Sequence, residues 1–316
     1  MLDENIASLH LHFIDKTKQP SKEDTMILVS GSTGFLGSEI CRQLLERGKP
    51  VRALVRTSSD KEKVDRLKQL GAEIVTGDLK GRASLDVACK GCSAVISTVT
   101  SIITRKEGDT FDAVDKNGNI NLAHAAKASG VDHIVFISFP PTEISSPLSE
   151  AKLAAEKAIH SSGIAYTILQ PVNFMEVWLS PAVGFDVQSG NVQFAGDGTA
   201  KTNWISLRDV ATFAVLSLDN ESARNRVIQL GGPEALSYSE IAEIFENSTG
   251  KKLSVTKISE QALRGQFESA EDEVQKTFSA LMLTTGAGWE VDMSKTLQEF
   301  PVKMSSVRDF ARQGMG

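Results

Sequence analysis

The chain has 316 residues, with 34 Lys and Arg against 40 Asp and Glu, a formal net charge of −6. At about 150 residues per domain the length allows two domains or one large α/β domain, and the negative balance argues against nucleic-acid binding through broad positive charge. No apolar run approaches the roughly 20 residues that span a bilayer, and the aromatics are sparse, with only 2 Tyr.

Residues 1–24 lack a basic start, a long apolar run and a small-residue cleavage site. They also carry Asp3, Glu4 and Asp15, so they read as neither a secretory nor a mitochondrial leader. They are expected to be a mobile extension. Cys41, Cys89 and Cys92 are too few for a disulfide framework, which makes a reducing cytoplasm the expected location.

From Met26 the pattern alternates between strands and helices. MILVS (26–30) reads as a buried strand, and the helix FLGSEICRQLLERG follows with Leu36, Ile40 and Leu44 on one face. VRALVR (51–56) is a strand, KEKVDRLKQLG a helix, AEIVTGDL (72–79) a strand and SLDVACKG a short helix. SAVISTV (93–99) is the fourth strand. A loop, the helix NGNINLAHAAKASG and the strand HIVFIS (133–138) come next. Then follow the helix SEAKLAAEKAIHSSG (149–163) and the strand AYTILQ (165–170). Repeated β–α units predict a doubly wound parallel sheet of the Rossmann type over residues 25–170. Beyond residue 170 the rhythm loosens. LRDVATFAVLSL and SYSEIAEIFENSTG read as helices, VIQLGG (227–232) and LSVTKIS as strands, and the last 55 or so residues as mostly helical. Residues 171–316 are therefore expected to form a smaller, mostly helical substrate-binding part, with some elements returning to the core.

The first strand runs into Gly31, Ser32, Thr33, Gly34, Phe35, Leu36 and Gly37, spaced GxxGxxG and leading into a helix. Gly31 permits the tight turn, Gly34 lets the backbone approach a pyrophosphate, and Gly37 lets helix and strand pack closely. The helix N-terminus presents unpaired N–H groups to the phosphates. An NAD site places a carboxylate at the end of the second strand. Here that strand ends in Arg56, and no carboxylate follows until Asp60. Arg56 suits a 2′-phosphate, so NADP(H) is the expected cofactor. Asp78 and Leu79, and Ser97 and Thr98, stand at the ends of the third and fourth strands, where open α/β sheets bind ligands.

These residues resemble the short-chain dehydrogenase/reductase superfamily, and most of all its atypical NmrA-like, isoflavone-reductase-like branch. The resemblance rests on GSTGFLG, a strand ending in LVR, GAEIVTGDL, SEAKLAAEKAIHSSGIAYTILQPVNFM and GDGTAKTNWISLRDVA, with MSSVRDFA near the C-terminus. It implies a Rossmann-type domain, NADPH preference, and a nicotinamide bordered by Pro171 to Phe174, with Asn173 and Phe174 at the cofactor. It does not imply one reaction: the branch includes double-bond, carbonyl and quinone reductases and proteins that bind NADP without turnover.

Typical members of the superfamily use a Tyr with a Lys four residues later. Here the residues four beyond Tyr166 and Tyr238 are Gln170 and Ala242, so the pair is absent, and Leu148 holds the tyrosine's place. The resemblance leaves Lys152 as general acid/base or cofactor-holding residue. A bland alternative is a surface lysine paired with Glu156 at i,i+4. Ser138 ends the fifth strand where the superfamily carries a substrate-binding serine. Phe139, Phe174 and Trp178 are candidates for an apolar substrate pocket. Cys89 and Cys92 form CxxC without a second pair, and the histidines lack ligand spacing, so no metal is expected. The expected function is an NADPH-dependent reductase of a small carbonyl, quinone or activated double-bond substrate. The alternatives are a non-catalytic NADP(H)-binding redox sensor with a protein partner, and a cofactor-retaining isomerase or dehydratase.

Overall fold

A computed structural model describes residues 25–103 and 105–313. The expected extension at 1–24 lies outside the described residues. In chain order the first half comprises β1 (Met26–Ser30), α1 (Phe35–Glu46), β2 (Val51–Val55), α2 (Lys61–Gln69), β3 (Glu73–Thr76), α3 (Arg82–Cys89) and β4 (Cys92–Ser97). A π-helical segment (Phe111–Gly118) runs directly into α4 (Asn119–Ala128), followed by β5 (His133–Ile137), α5 (Pro147–Ser161) and β6 (Ala165–Pro171). The second half comprises β7 (Asn173–Phe174), α6 (Met175–Trp178), β8 (Phe185–Asp186), β9 (Asn191–Ala195), β10 (Lys201–Ile205), α7 (Leu207–Ser217), β11 (Arg226–Leu230) and β12 (Ala235–Ser237). It ends with α8 (Tyr238–Thr249), β13 (Ser254–Ile258), α9 (Glu260–Ser269), α10 (Glu273–Ala287), α11 (Ser294–Glu299) and α12 (Val307–Gln313).

Seven strands form one sheet in the order β11-β6-β5-β4-β1-β2-β3, and every pairing in it is parallel. Strands buried on both faces need near-continuous apolar sequence, which MILVS and HIVFI supply. One face packs Ile27, Val29 and Val135 against Ile40 and Leu44 of α1 and Val210, Phe213 and Ala214 of α7. The other packs Leu28, Val95 and Phe136 against Leu85, Leu122, Ala155 and Ile159. This is the doubly wound Rossmann architecture that the β–α rhythm predicts. Strand order reverses between β1 and β4, and such a switch point opens a crevice at the C-terminal strand ends.

The second half returns to the first through β11, the seventh strand, and α7. Its own core gathers Met175, Phe185, Phe194, Trp204, Tyr238 and Phe245. Beside its helices it holds two three-stranded sheets, β12-β10-β7 and β13-β9-β8. Several of their strands are only two or three residues long, too short for an alternation to register. No helix among the described residues is long and apolar enough to cross a membrane.

The N-terminal end of the sheet is closed by its own side chains. Thr167 Oγ1 donates to Ala223 O at 2.9 Å, so it must accept from His133 Nε2–H, also at 2.9 Å. His133 is thereby the Nε2–H tautomer. Its Nδ1 is buried without a partner, and burial lowers the ring pKa from 6.5 to about 4. Nearby, Arg52 Nη1 donates to Ala88 O, Lys90 O and Cys92 Sγ. Cys89 and Cys92 are buried free thiols. Burial pushes Cys89 up to about 12 and Cys92 upward as well, which suits packing rather than thiol chemistry.

Candidate functional site

The glycine loop joins β1 to α1 at the switch point. Gly31 has φ +80°, and a Cβ there would stand 2.5 Å from Thr98 Oγ1. A Cβ on Gly37 would collide with the Gly31 carbonyl, which fixes how closely α1 can approach the turn. Gly34 N–H donates to Gly31 O at 3.0 Å, and Ser32 Oγ anchors the loop to Leu54 O of β2 at 2.8 Å. Gly34 caps α1 without a side-chain hydrogen bond, and the first turn carries no acidic residue. The helix end therefore keeps free N–H groups and no competing negative charge, a fit for a phosphate. Thr33 is half-buried beside them, Leu36 is buried against the sheet, and the Phe35 ring is 77% exposed at the lip.

Arg56 follows β2 and donates through Nη1 to Asp109 Oδ2 at 2.7 Å. Lys80 Nζ donates to the other oxygen, Asp109 Oδ1, also at 2.7 Å. Burial would raise the Asp109 pKa, but the hydrogen bonds from Lys80 and Arg56 win and hold its carboxyl below the usual range. Asp78 folds back on its own turn, accepting from Lys80 N–H at 2.8 Å. Leu79 is buried, packed where a Cβ on Gly118 would meet it at 2.9 Å.

Beneath the crevice lies a buried polar chain. Ser30 Oγ and Ser97 Oγ are 3.3 Å apart, and Ser97 Oγ donates to Asn119 Oδ1 at 2.6 Å. Thr98 Oγ1 donates to Ser30 O at 3.2 Å. The hydroxyls of Ser97 and Thr98 thus donate inside the protein. Asp115, on the π-helical segment, accepts from Ser101 N–H and Oγ at 2.9 and 2.7 Å. Its other oxygen, Oδ1, lies 3.5 Å from Lys152 Nζ.

Lys152 is 5% exposed on α5. Its ammonium donates to Val99 O at 2.7 Å and to Ile137 O at 3.5 Å, which ties the ends of β4 and β5 together. Burial lowers its pKa, and Asp115 opposes that shift. The surface pairing with Glu156 is not what forms: Glu156 is itself buried and accepts from Gln170 Nε2 at 2.9 Å. Leu148, one helical turn before Lys152, packs with Phe111 and Ala151 in an apolar cluster. Both tyrosines are buried elsewhere, Tyr166 against His160 and Tyr238 against Phe194 and Trp204.

Ser138 follows β5, and its backbone N–H donates to Leu169 O at 2.8 Å. Its Oγ is buried with no hydrogen-bond partner among the described residues, so its hydroxyl is not committed to the protein's own groups. Phe139, next in sequence, lines a small gap with Asn173, Thr284, Thr285 and Trp289. Thr284 and Trp289 also line a cleft of about 540 Å³ formed by the 141–144 loop, the end of β9, α9 and α10. Of the three predicted pocket aromatics, only Phe139 borders these spaces. Trp178 is buried in the second core, and Phe174 packs against the first. Pro171 ends β6 beside Leu230. Asn173 spends its amide on structure, donating to Thr202 Oγ1 at 2.8 Å and accepting from Thr285 Oγ1 at 3.0 Å.

Three residues here escaped the reading of the sequence: Lys80, Asp109 and Asp115. The last two lie in the stretch that reads as loop after β4, and all three meet an oppositely charged partner across 29 or more positions of chain. Only the acidic residues spaced through that loop hint at them.

Comparison with known proteins follows this geometry. The chain is 32% identical to the photosystem II assembly factor Ycf39 of Trieres chinensis over 73% of this chain and 72% of that one. It is 31% identical to an NAD(P)H azoreductase of Xenophilus azovorans over 80% and 86% of the two chains. The Escherichia coli NADPH-dependent quinone oxidoreductase QOR2, solved with NADPH, superposes with a TM-score of 0.72 at 22% identity, covering 92% of this chain and 100% of that one. Residues 23–311 match the NmrA-like family, and with the parallel sheet, glycine loop and buried lysine in place the chain belongs to that family.

Proposed function

We propose that this protein is an NADPH-dependent reductase of a small, mainly apolar carbonyl, quinone or activated double-bond compound. The observation that carries the reading is the alignment of the glycine loop, Arg56 and the unpartnered Ser138 hydroxyl along one row of C-terminal strand ends. The glycine turn, where a Cβ on Gly31 or Gly37 would clash, and the uncapped N–H groups of α1 fit a pyrophosphate. Arg56 serves the adenosine 2′-phosphate. Bound NADPH supplies a hydride, and the protein supplies orientation, water exclusion and a proton.

Ser138 Oγ is free to donate to a substrate carbonyl oxygen. Lys152 holds the crevice walls and, with its pKa lowered by burial, serves as proton donor. The cleft sets Leu263, Met282, Leu283 and Trp289 beside Glu143, Glu260 and Arg264, which suits an apolar body carrying polar substituents. The names of the azoreductase and quinone oxidoreductase relatives accord with this reading.

A second reading, cofactor binding without turnover, is favoured by one observation: the Lys152 ammonium is already engaged by Val99 O, Ile137 O and Asp115. The assembly-factor relative accords with that alternative. NADPH oxidation measured with a panel of quinones and enones separates the two. Turnover that falls in Lys152→Ala is expected. Tight NADPH binding with no turnover on any acceptor would replace the first reading with the second.

A further inference from the structure

The end of β2 lacks the carboxylate of an NAD site, yet the fold delivers one there. The turn at 106–109 crosses from the β4 side and lays Asp109 between Arg56 and Lys80, with one carboxylate oxygen on each cation at 2.7 Å. Lys106 pins the same turn to the β2 side, donating through Nζ to Ser58 O at 2.6 Å and through its backbone N–H to Asp109 Oδ2 at 3.3 Å. Arg56 and Lys80 keep 34% and 35% of their side chains exposed, whereas Asp109 keeps 2%. The cations thus keep exposed surface while the carboxylate is buried between them.

We propose that Asp109 sets the nucleotide specificity of this site, acting with Lys80 as well as Arg56. The inference rests on the cofactor reading above. Without a 2′-phosphate, Asp109 neutralises both cations, so an NADH ribose meets paired rather than bare charge there. With a 2′-phosphate, which carries most of two negative charges at neutral pH, Asp109 competes for the same two cations and repels the newcomer. The site therefore accepts both nucleotides, and Asp109 narrows the preference that Arg56 and Lys80 create.

The test measures equilibrium binding of NADPH and NADH to the full chain by nucleotide fluorescence, with no substrate present. Asp109→Asn keeps the side-chain shape and removes the charge. It is expected to tighten NADPH about 5-fold and leave NADH within about 2-fold, the first a shift near that of one charge-assisted hydrogen bond in partial solvent. Lys80→Ala is expected to weaken NADPH about 10-fold and leave NADH within about 2-fold. Tighter binding of NADPH alone is an outcome that general damage to the fold does not produce. If Asp109→Asn weakens both nucleotides alike or changes neither, or if Lys80→Ala leaves NADPH unchanged, the inference is overturned while the cofactor reading stands. If the unmodified chain binds neither nucleotide, both fall together.

Discussion

The two ends of the central sheet use the same strands to opposite effect. At the N-terminal end, polar groups are tied to one another, with His133 Nδ1 the exception: His133 Nε2 meets Thr167, Thr167 meets Ala223 O, and Arg52 gathers two carbonyls and a thiol. At the C-terminal end paired groups such as Arg56, Asp109 and Lys80 surround two open ones: the N–H groups of α1 lack a side-chain cap, and Ser138 Oγ has no protein partner among the described residues. Parallel strands make this asymmetry possible, because every chain reversal over one end can be a tight structural link while the other end receives loops of any length. A closed end reads out as stability. An open end reads out as binding.

Four experiments test that division, from the largest effect down. Gly37→Val drives a branched side chain into the Gly31 carbonyl. It should cost about 3–4 kcal/mol in urea unfolding and abolish NADPH binding. Gly34→Ala, with its Cβ 3.3 Å from the same oxygen, should cost under about 1 kcal/mol. Equal tolerance at both glycines would break the cradle argument. Lys152→Ala should lower turnover about 100-fold, and turnover within about 3-fold of the parent would remove the lysine from the chemistry.

His133 belongs to the closed end and should affect stability only. Its folded pKa, about 4, lies below the ordinary 6.5, so between these values the unfolded chain binds the extra proton. Stability is fully present above pH 6.5 and is lost as pH falls toward 4, by about 2 kcal/mol between pH 7 and 5 from this group. In His133→Phe the urea midpoint should fall less between those pH values than in the parent. An unchanged slope would show that the ring is not what titrates. Ser138→Ala should shift stability by less than about 0.5 kcal/mol, because no hydrogen bond is lost, yet reduce turnover about 10-fold. A clear loss of stability would place Ser138 with the closed end instead.

The sequence shows the open end in part. Gly31 to Gly37 and Arg56 are legible because each is local to one strand–turn–helix unit, where spacing and chemistry coincide. Lys152 is legible only through family likeness, since nothing local shows that a helix lysine will lie 5% exposed against Val99 O. Asp109 and Asp115 depend on where a long loop and a π-helical turn settle, which no period encodes. The same limit applies to Trp178: an aromatic after the nicotinamide-side strand suits a pocket or a core equally well until its packing with Met175 and Leu179 is seen. Ser146, which caps α5 in a reciprocal box with Ser149, moves that helix start two residues earlier than the apolar pattern suggests.

The link between Asn173 and Thr285 has a consequence for how such a protein can diversify. One hydrogen bond of 3.0 Å registers α10 against the strand that leaves the nucleotide crevice, while Leu263, Met282 and Ala287 line the cleft on the far side of that joint. Substitutions among those lining residues reshape the cleft without disturbing the registration. Side chains along α9 and α10 can therefore vary while the joint between strand and helix stays in register.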